Sequence, residues 1–165
     1  MEKEFMDLVN DHRALIFKVC NLYCQDAGSR NDLFQEIVLQ LWKSYPSFRK
    51  QSAGSTWIYR VALNTAISNF RKQQKSPGSS SLDEMGFDIP DMHPSAMQQE
   101  QVDALYEAIQ QLSEIEKAII LLYLDEKSYE EISAIMGITL SNVGVRLNRI
   151  KQKLTHLIKS KQHGA

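Results

Sequence analysis

Apolar residues recur at three- and four-residue spacing along most of the chain, the mark of helices that each bury one face. From Glu2 to about Gln25, the positions Phe5, Leu8, Val9, Leu15, Ile16, Val19, Cys20 and Tyr23 predict one helix with a wide apolar side. His12 falls on that side and reads as a hydrogen-bonding group at the core edge. Gly28 marks a break, and Ser29 followed by Asp32 predicts the cap of a second helix reaching about Ser44. Pro46 forbids much continuation. Phe34, Ile37, Val38 and Leu41 form the expected core side of this second helix. Ser55 or Thr56 caps a third, Trp57 to about Gln74, with Ile58, Tyr59, Ala62, Leu63, Ala66, Ile67 and Phe70 turned inward.

The second half repeats the pattern in shorter helices. Val102, Leu105, Ile109 and Leu112 mark one. Ser113 with Glu116 predicts a capping box opening another, which carries Ala118, Ile119, Leu122 and Tyr123. The stretch Ser128–Leu154, SYEEISAIMGITLSNVGVRLNRIKQKL, then reads as two helices about a tight turn. Ser128 and Glu131 form a second capping box, and Ile132, Ile135 and Met136 share a face. Ser133 is small enough for a close helix crossing. Gly137 can take the positive φ that ends a helix, and Thr139 is placed to cap the next. Val143, Leu147, Ile150 and Leu154 make the buried stripe of that last helix. This is the pattern of a helix-turn-helix, although a helical hairpin of no DNA-binding role shares much of it.

Charge separates the two possibilities. The net charge of −1 conceals three blocks. Arg49–Lys75 contains six Lys and Arg and no acid, and Ser76–Glu116 contains nine acids and no Lys or Arg. Asn142–Lys161 then carries Arg146, Arg149, Lys151, Lys153, Lys159 and Lys161 with no acid. Basic residues clustered on a candidate recognition helix favour DNA as its partner. The acidic block opens with SPGSSS and includes Pro77, Pro90 and Pro94, a composition that cannot bury enough apolar surface to fix a fold. The chain therefore reads as all-α, with two small helical domains, 1–75 and 100–165, joined by a flexible acidic linker, 76–99.

The outward faces suggest two further contacts. On the second helix, Asp32, Gln35, Glu36 and Leu39, with Trp42 at the margin, form either a docking surface for a partner protein or an ordinary solvated face. On the third, Trp57, Arg60, Asn64, Ser68 and Arg71 form a stripe continuing into Lys72. Guanidinium groups for phosphate, an amide for base edges and an indole for stacking suit unpaired nucleic acid. For Trp57 itself, packing in the core is the favoured reading.

Other chemistry is poorly supported. Cys20 and Cys24 are the two cysteines, four apart, and with His12 they make no credible zinc set. A buried thiol pair is the expectation. There is no nucleophile–base pair or phosphate-cradling glycine loop, so neither an enzyme nor a cofactor or small-molecule substrate is expected. No apolar run approaches a membrane span and no signal peptide opens the chain, which predicts a cytoplasmic protein without membrane insertion.

Taken together, the motifs resemble the extracytoplasmic-function sigma factors of bacterial RNA polymerase, over essentially the full chain except the tails and linker. DLFQEIVLQLW, Asp32–Trp42, is similar to the family's polymerase-binding helix. STWIYRVALNTAISNFRK, Ser55–Lys72, is similar to its promoter-melting and −10-recognition helix, and Ser128–Leu154 to its −35-recognition helix-turn-helix. The resemblance implies that Asp32, Gln35, Glu36, Leu39 and Trp42 dock on core polymerase. It implies that the loop Arg49–Ser55, including Lys50, and Asn64 hold a flipped −10 base. Trp57 and Ser68 share that surface, and Arg60, Arg71 and Lys72 follow the phosphates. Promoter DNA and core polymerase are the implied partners, and the family often uses an anti-sigma factor. The recognition helix departs from the usual pattern at Asn142 and Gly144. Gly144 costs about 1 kcal/mol of helix stability relative to Ala. That leaves Ser141, Val145 and Asn148 as base-facing groups beside Asn142, with Arg146 and Arg149 on phosphates. A conventional helix-turn-helix regulator binding duplex DNA without polymerase is the alternative.

Overall fold

The first helix is two helices. The structure, a computed structural model, describes residues 2–48, 53–75 and 96–163, with side chains of 74, 75, 96–98 and 161–163 outside that description. Helix α1 (Glu2–Asp11) and α2 (Arg13–Tyr23) meet at His12, whose φ of −115° and ψ of 20° leave the helical range. The His12 ring Nδ1–H donates to Leu8 O at 2.9 Å, as a core-edge histidine should. An apolar period cannot register such a break, because both helices keep the same side inward.

Helix α3 (Ala27–Ser44) starts earlier than its hydroxyl suggested. Its cap is Asp26, whose carboxylate accepts from the Ser29 N–H at 2.9 Å, and not Ser29. Arg30 fastens the preceding chain by donating to Cys24 O and Gln25 O at 3.1 and 2.9 Å. Leu33, Ile37 and Leu41 are the buried stripe. Phe34 and Val38 are only half-buried, so the inward face is centred one residue earlier than predicted. Phe34 instead stacks on Phe17 of α2, ring centroids 4.6 Å apart. A single 3-10 turn, Tyr45–Ser47, carries Pro46 and ends the helix.

Helix α4 (Gly54–Lys75) packs against both α2 and α3. Ile58, Tyr59, Ala62, Leu63, Ala66 and Ile67 are buried, and two alanines among them let the helices approach closely. Gly54 marks another close approach, since a Cβ there would lie 3.0 Å from Leu8 Cδ1 and 3.4 Å from His12 Cε1. Cys20 and Cys24 are buried free thiols in this core. Burial, reinforced for Cys20 by Cys24 and for Cys24 by Asp26, pushes their pKa values up to about 12 and about 11. They are apolar filling rather than reactive groups.

The C-terminal unit contains α5 (Ala96–Gln110), α6 (Glu114–Leu124), α7 (Tyr129–Met136) and α8 (Leu140–His163). Among the described residues, eight α-helices and no strand give the expected all-α fold. Residues 76–95 of the expected linker lie outside the described residues; α5 begins at Ala96. Both capping boxes are present. Ser113 Oγ accepts from Glu116 N–H while Glu116 accepts from Ser113 N–H, at 3.2 and 2.9 Å, and the Ser128–Glu131 pair repeats this at 3.1 Å each way. The stripe of α8 is buried as predicted at Val143, Leu147, Ile150 and Leu154. Val102, which marks the apolar period of α5, is 52% exposed, and Tyr123 is 37% exposed, whereas Ala108 and Ile120 are buried. The core also includes Lys117, 5% exposed, whose Nζ donates to Gln110 Oε1 at 3.2 Å.

Candidate nucleic-acid and protein interfaces

Helix α3 turns its polar face outward. Asp32, Gln35 and Glu36 are exposed, and Leu39 and Trp42 are 44% and 41% exposed despite their size. Leu39 and Trp42 border an apolar groove of about 820 Å³ whose other wall is α1, with Phe5 and Met6. Trp42 is held against Phe5 edge to face at 5.0 Å. The sequence marked the α3 side of this surface and missed the α1 side. On that α1 side Met6 is 50% exposed.

A second groove, polar and about 660 Å³, runs between α3 and α4. Asp32 and Glu36 line it from α3; Asn64, Ser68 and Lys72 line it from α4. Positions read from sequence as two separate surfaces thus share one cleft. Thr65 and Asn69 also line it and were not singled out, although each is next to a position that was. Thr65 Oγ1 is committed to Val61 O at 2.7 Å, whereas the Asn64 side chain is exposed to solvent. Arg60 and Arg71 are exposed on α4 but are not among the residues lining the cleft. Ser55 is half-buried in the first turn, and Arg49 and Lys50 lie outside the described residues.

Trp57 does not belong to that outward stripe. It is 9% exposed and stacks on Phe48, ring centroids 4.6 Å apart and 13° between planes. Tyr45 closes on the same indole at 6.2 Å. Three aromatic rings from the α3–α4 junction gain more by excluding water together than an isolated indole gains on the surface.

In the C-terminal unit, Gly137 ends α7 at φ 69° and ψ 34°, and Ser133 Oγ donates to Ile138 O, fixing the turn. Thr139 Oγ1 accepts from Asn142 N–H at 3.2 Å, capping α8. Ser141, Asn142, Val145, Asn148 and Arg149 are exposed, Val145 at 46%; Arg146 is half-buried beside the core. Beside Gly144, Tyr129 of α7 comes close, its Cε2 3.8 Å from where a Cβ would stand. The surface offers hydrogen-bonding groups, a branched apolar group and cations, a set that can read base edges and meet phosphates. Among the described residues no cluster of His, Cys, Asp and Glu is arranged to hold a metal ion. No described helix is long and apolar enough to cross a membrane.

Two family profiles match the chain: Sigma-70 region 2 over residues 8–76, and Sigma-70, region 4 over residues 103–154. The ECF RNA polymerase sigma-E factor of Escherichia coli strain K12 is 29% identical over 168 residues, covering 95% of this chain and 87% of the relative. The RNA polymerase sigma-H factor of Pseudomonas aeruginosa is 26% identical, covering 93% and 85%. The fold is similar to that of the sigma factor RpoE from Bartonella quintana, solved in complex with the anti-sigma factor NepR. There the TM-score is 0.71 at 23% identity, over 95% of this chain and 98% of that one.

Proposed function

The chain belongs to the extracytoplasmic-function sigma factors, which direct transcription with RNA polymerase, and from this premise we propose how its surfaces divide the work. The N-terminal unit, residues 1–75, binds core polymerase through Asp32, Gln35, Glu36, Leu39 and Trp42. Its α4 side receives the melted −10 element. Asn64 and Ser68 meet an unstacked base, and Arg60, Arg71 and Lys72 meet the phosphates. The C-terminal unit, residues 100–165, places α8 in the major groove of the −35 element, with Ser141, Asn142, Val145 and Asn148 toward bases and Arg146 and Arg149 toward phosphates. The protein contributes recognition and strand capture, and polymerase carries the catalysis. It works where its polymerase is, in the cytoplasm, and an anti-sigma factor is a partner of the kind seen with its structural relative.

The observation that carries this reading is the polar cleft. It sets the exposed Asn64 amide and Ser68 hydroxyl beside Lys72, and carboxylates of a protein-docking helix form the facing wall. A conventional duplex-binding regulator has no use for such a cleft. Base capture outside a duplex costs a few kcal/mol, which contacts in a fitted pocket must offset. Run-off transcription with core polymerase over a genomic promoter library is the test. Discrete transcripts that depend on this chain are expected. Tight, sequence-specific duplex binding with no transcript in the presence of core would instead identify a conventional regulator.

A further inference from the structure

The basic run of α8 reads in sequence as one block, but the fold sorts its cations. Lys153 Nζ lies 3.1 Å from Glu116 Oε1, so its charge is met within the unit. Lys151 stands over the Tyr123 ring instead, Nζ 4.2 Å from the centroid. An ammonium on an aromatic face is held in place while keeping its charge for a third group. Hydrogen bonding to Tyr123 also raises its pKa. Lys159, exposed two turns further on, lines a shallow groove of about 380 Å³ with Lys151, Gln152, Thr155 and His156. No carboxylate lines it. Residues 151, 155 and 159 make one ridge, with the two lysines about 12 Å apart at helical rise. The base-reading positions proposed above end at Asn148, before this ridge begins.

We propose that Lys151 and Lys159 form a phosphate-binding ridge that grips the backbone of duplex DNA beyond the base-reading end of α8. The inference rests on the assignment of α8 to duplex DNA. Lys153, spent on Glu116, takes no part. Two ammonium groups at this spacing can each meet a phosphate of the same strand. Contacts of this kind add affinity and orientation without sequence preference.

The test uses the full chain without polymerase, measuring fluorescence anisotropy on two labelled duplexes of about 30 base pairs and unrelated sequence. KCl is varied from about 50 to 200 mM, the range over which counterion release is read. The Lys151→Gln/Lys159→Gln double variant should lose equal affinity on both duplexes. Its log K against log salt slope should be shallower by about 1.8, two phosphates' worth. Lys153→Gln should leave the slope unchanged. An unchanged slope in the double variant, an equal change in Lys153→Gln, or loss on one duplex alone overturns the ridge. So does a wild-type chain that fails to bind either duplex at the lowest salt. If binding to poly-glutamate falls in the double variant while DNA binding does not, the ridge serves an acidic protein and the proposal fails. Failure here leaves the polymerase reading standing, because that rests on transcription with core.

Discussion

Phe48 and Trp57 lie face to face, 4.6 Å between centroids and 13° between planes, across the junction where α3 hands over to α4. The pair joins the chain leaving α3 to the first turn of α4, and so fixes the start of the helix that carries Asn64. Replacing Trp57 with Ala should therefore destabilise the N-terminal unit by about 3–5 kcal/mol, the range for buried aromatic truncation. Trp57→Phe keeps a ring and should cost much less. Urea unfolding of both variants measures this. A Trp57→Ala chain of unchanged stability but reduced single-strand binding would return the indole to the DNA surface.

The same residue shows what the sequence could and could not reveal. Helix existence followed from period, and the caps at Ser113 and Ser128 followed from local chemistry that needs no tertiary information. Face assignment near a helix end did not, because the rings packed on Trp57, Phe48 and Tyr45, come from outside its own helix and no periodicity reports them. The break at His12 was hidden for a related reason: two helices sharing one inward side look like one. The cleft joining Asp32 and Glu36 to Asn64 and Lys72 needed the α3–α4 packing itself. Exposed Leu39, Val145 and Arg149 were legible, since they interrupt or oppose clear apolar stripes.

Leu39 is 44% exposed and borders the apolar groove shared with α1. Leu39→Ser should weaken core polymerase binding by about tenfold, the effect of losing an anchor worth more than 1 kcal/mol. The unfolding free energy should change by no more than about 0.5 kcal/mol, as for other surface substitutions. Competition with a labelled sigma factor for core reads the first, and urea unfolding the second. Undiminished core affinity would remove Leu39 from the interface.

Asn64 places an exposed amide in the polar cleft. Asn64→Ala should slow promoter opening, read by permanganate reactivity of the melted strand, while core binding stays intact. Unaltered opening would take the base-capturing role from Asn64. Reduced core binding would show that the cleft acts as one unit, its α4 wall included.

Glu116 and Glu131 make the C-terminal unit acid-sensitive. Burial raises the Glu116 carboxyl, but the Ser113 hydrogen bonds and Lys153 outweigh it, leaving its pKa below the usual 4.5. Hydrogen bonds from the Ser128 backbone and hydroxyl lower Glu131 in the same way. For a carboxyl lowered on folding, the unfolded chain binds the proton first, so the stabilisation is present above 4.5 and lost as pH falls through the lowered value. A Glu116→Gln/Glu131→Gln chain should be less stable at neutral pH and show a flatter decline below pH 4.5. Hydrogen exchange of α6 and α7 amides against pH checks it; an identical decline in wild type and variant would place the acid sensitivity elsewhere.

Lys117 works in the opposite sense. Burial lowers its pKa from 10.5, and the nearby Glu114 offsets only part of that. A base lowered on folding gives up its proton in the native state first, so stability rises with pH between the lowered value and 10.5. Below the lowered value the native chain bears the cost of keeping this ammonium at a buried position, where Gln110 Oε1 accepts from it. Lys117→Met fills similar volume without a charge. It should stabilise the C-terminal unit by about 1 kcal/mol at pH 7, since well-packed apolar replacements of buried charge are often neutral or favourable. The alkaline rise should vanish with it. Exchange protection of α6 amides at pH 7, and unfolding followed by circular dichroism toward pH 10, provide the two readings. Destabilisation by Met at both pH values would mean that the Lys117–Gln110 contact organises the α5–α6 turn rather than taxing it.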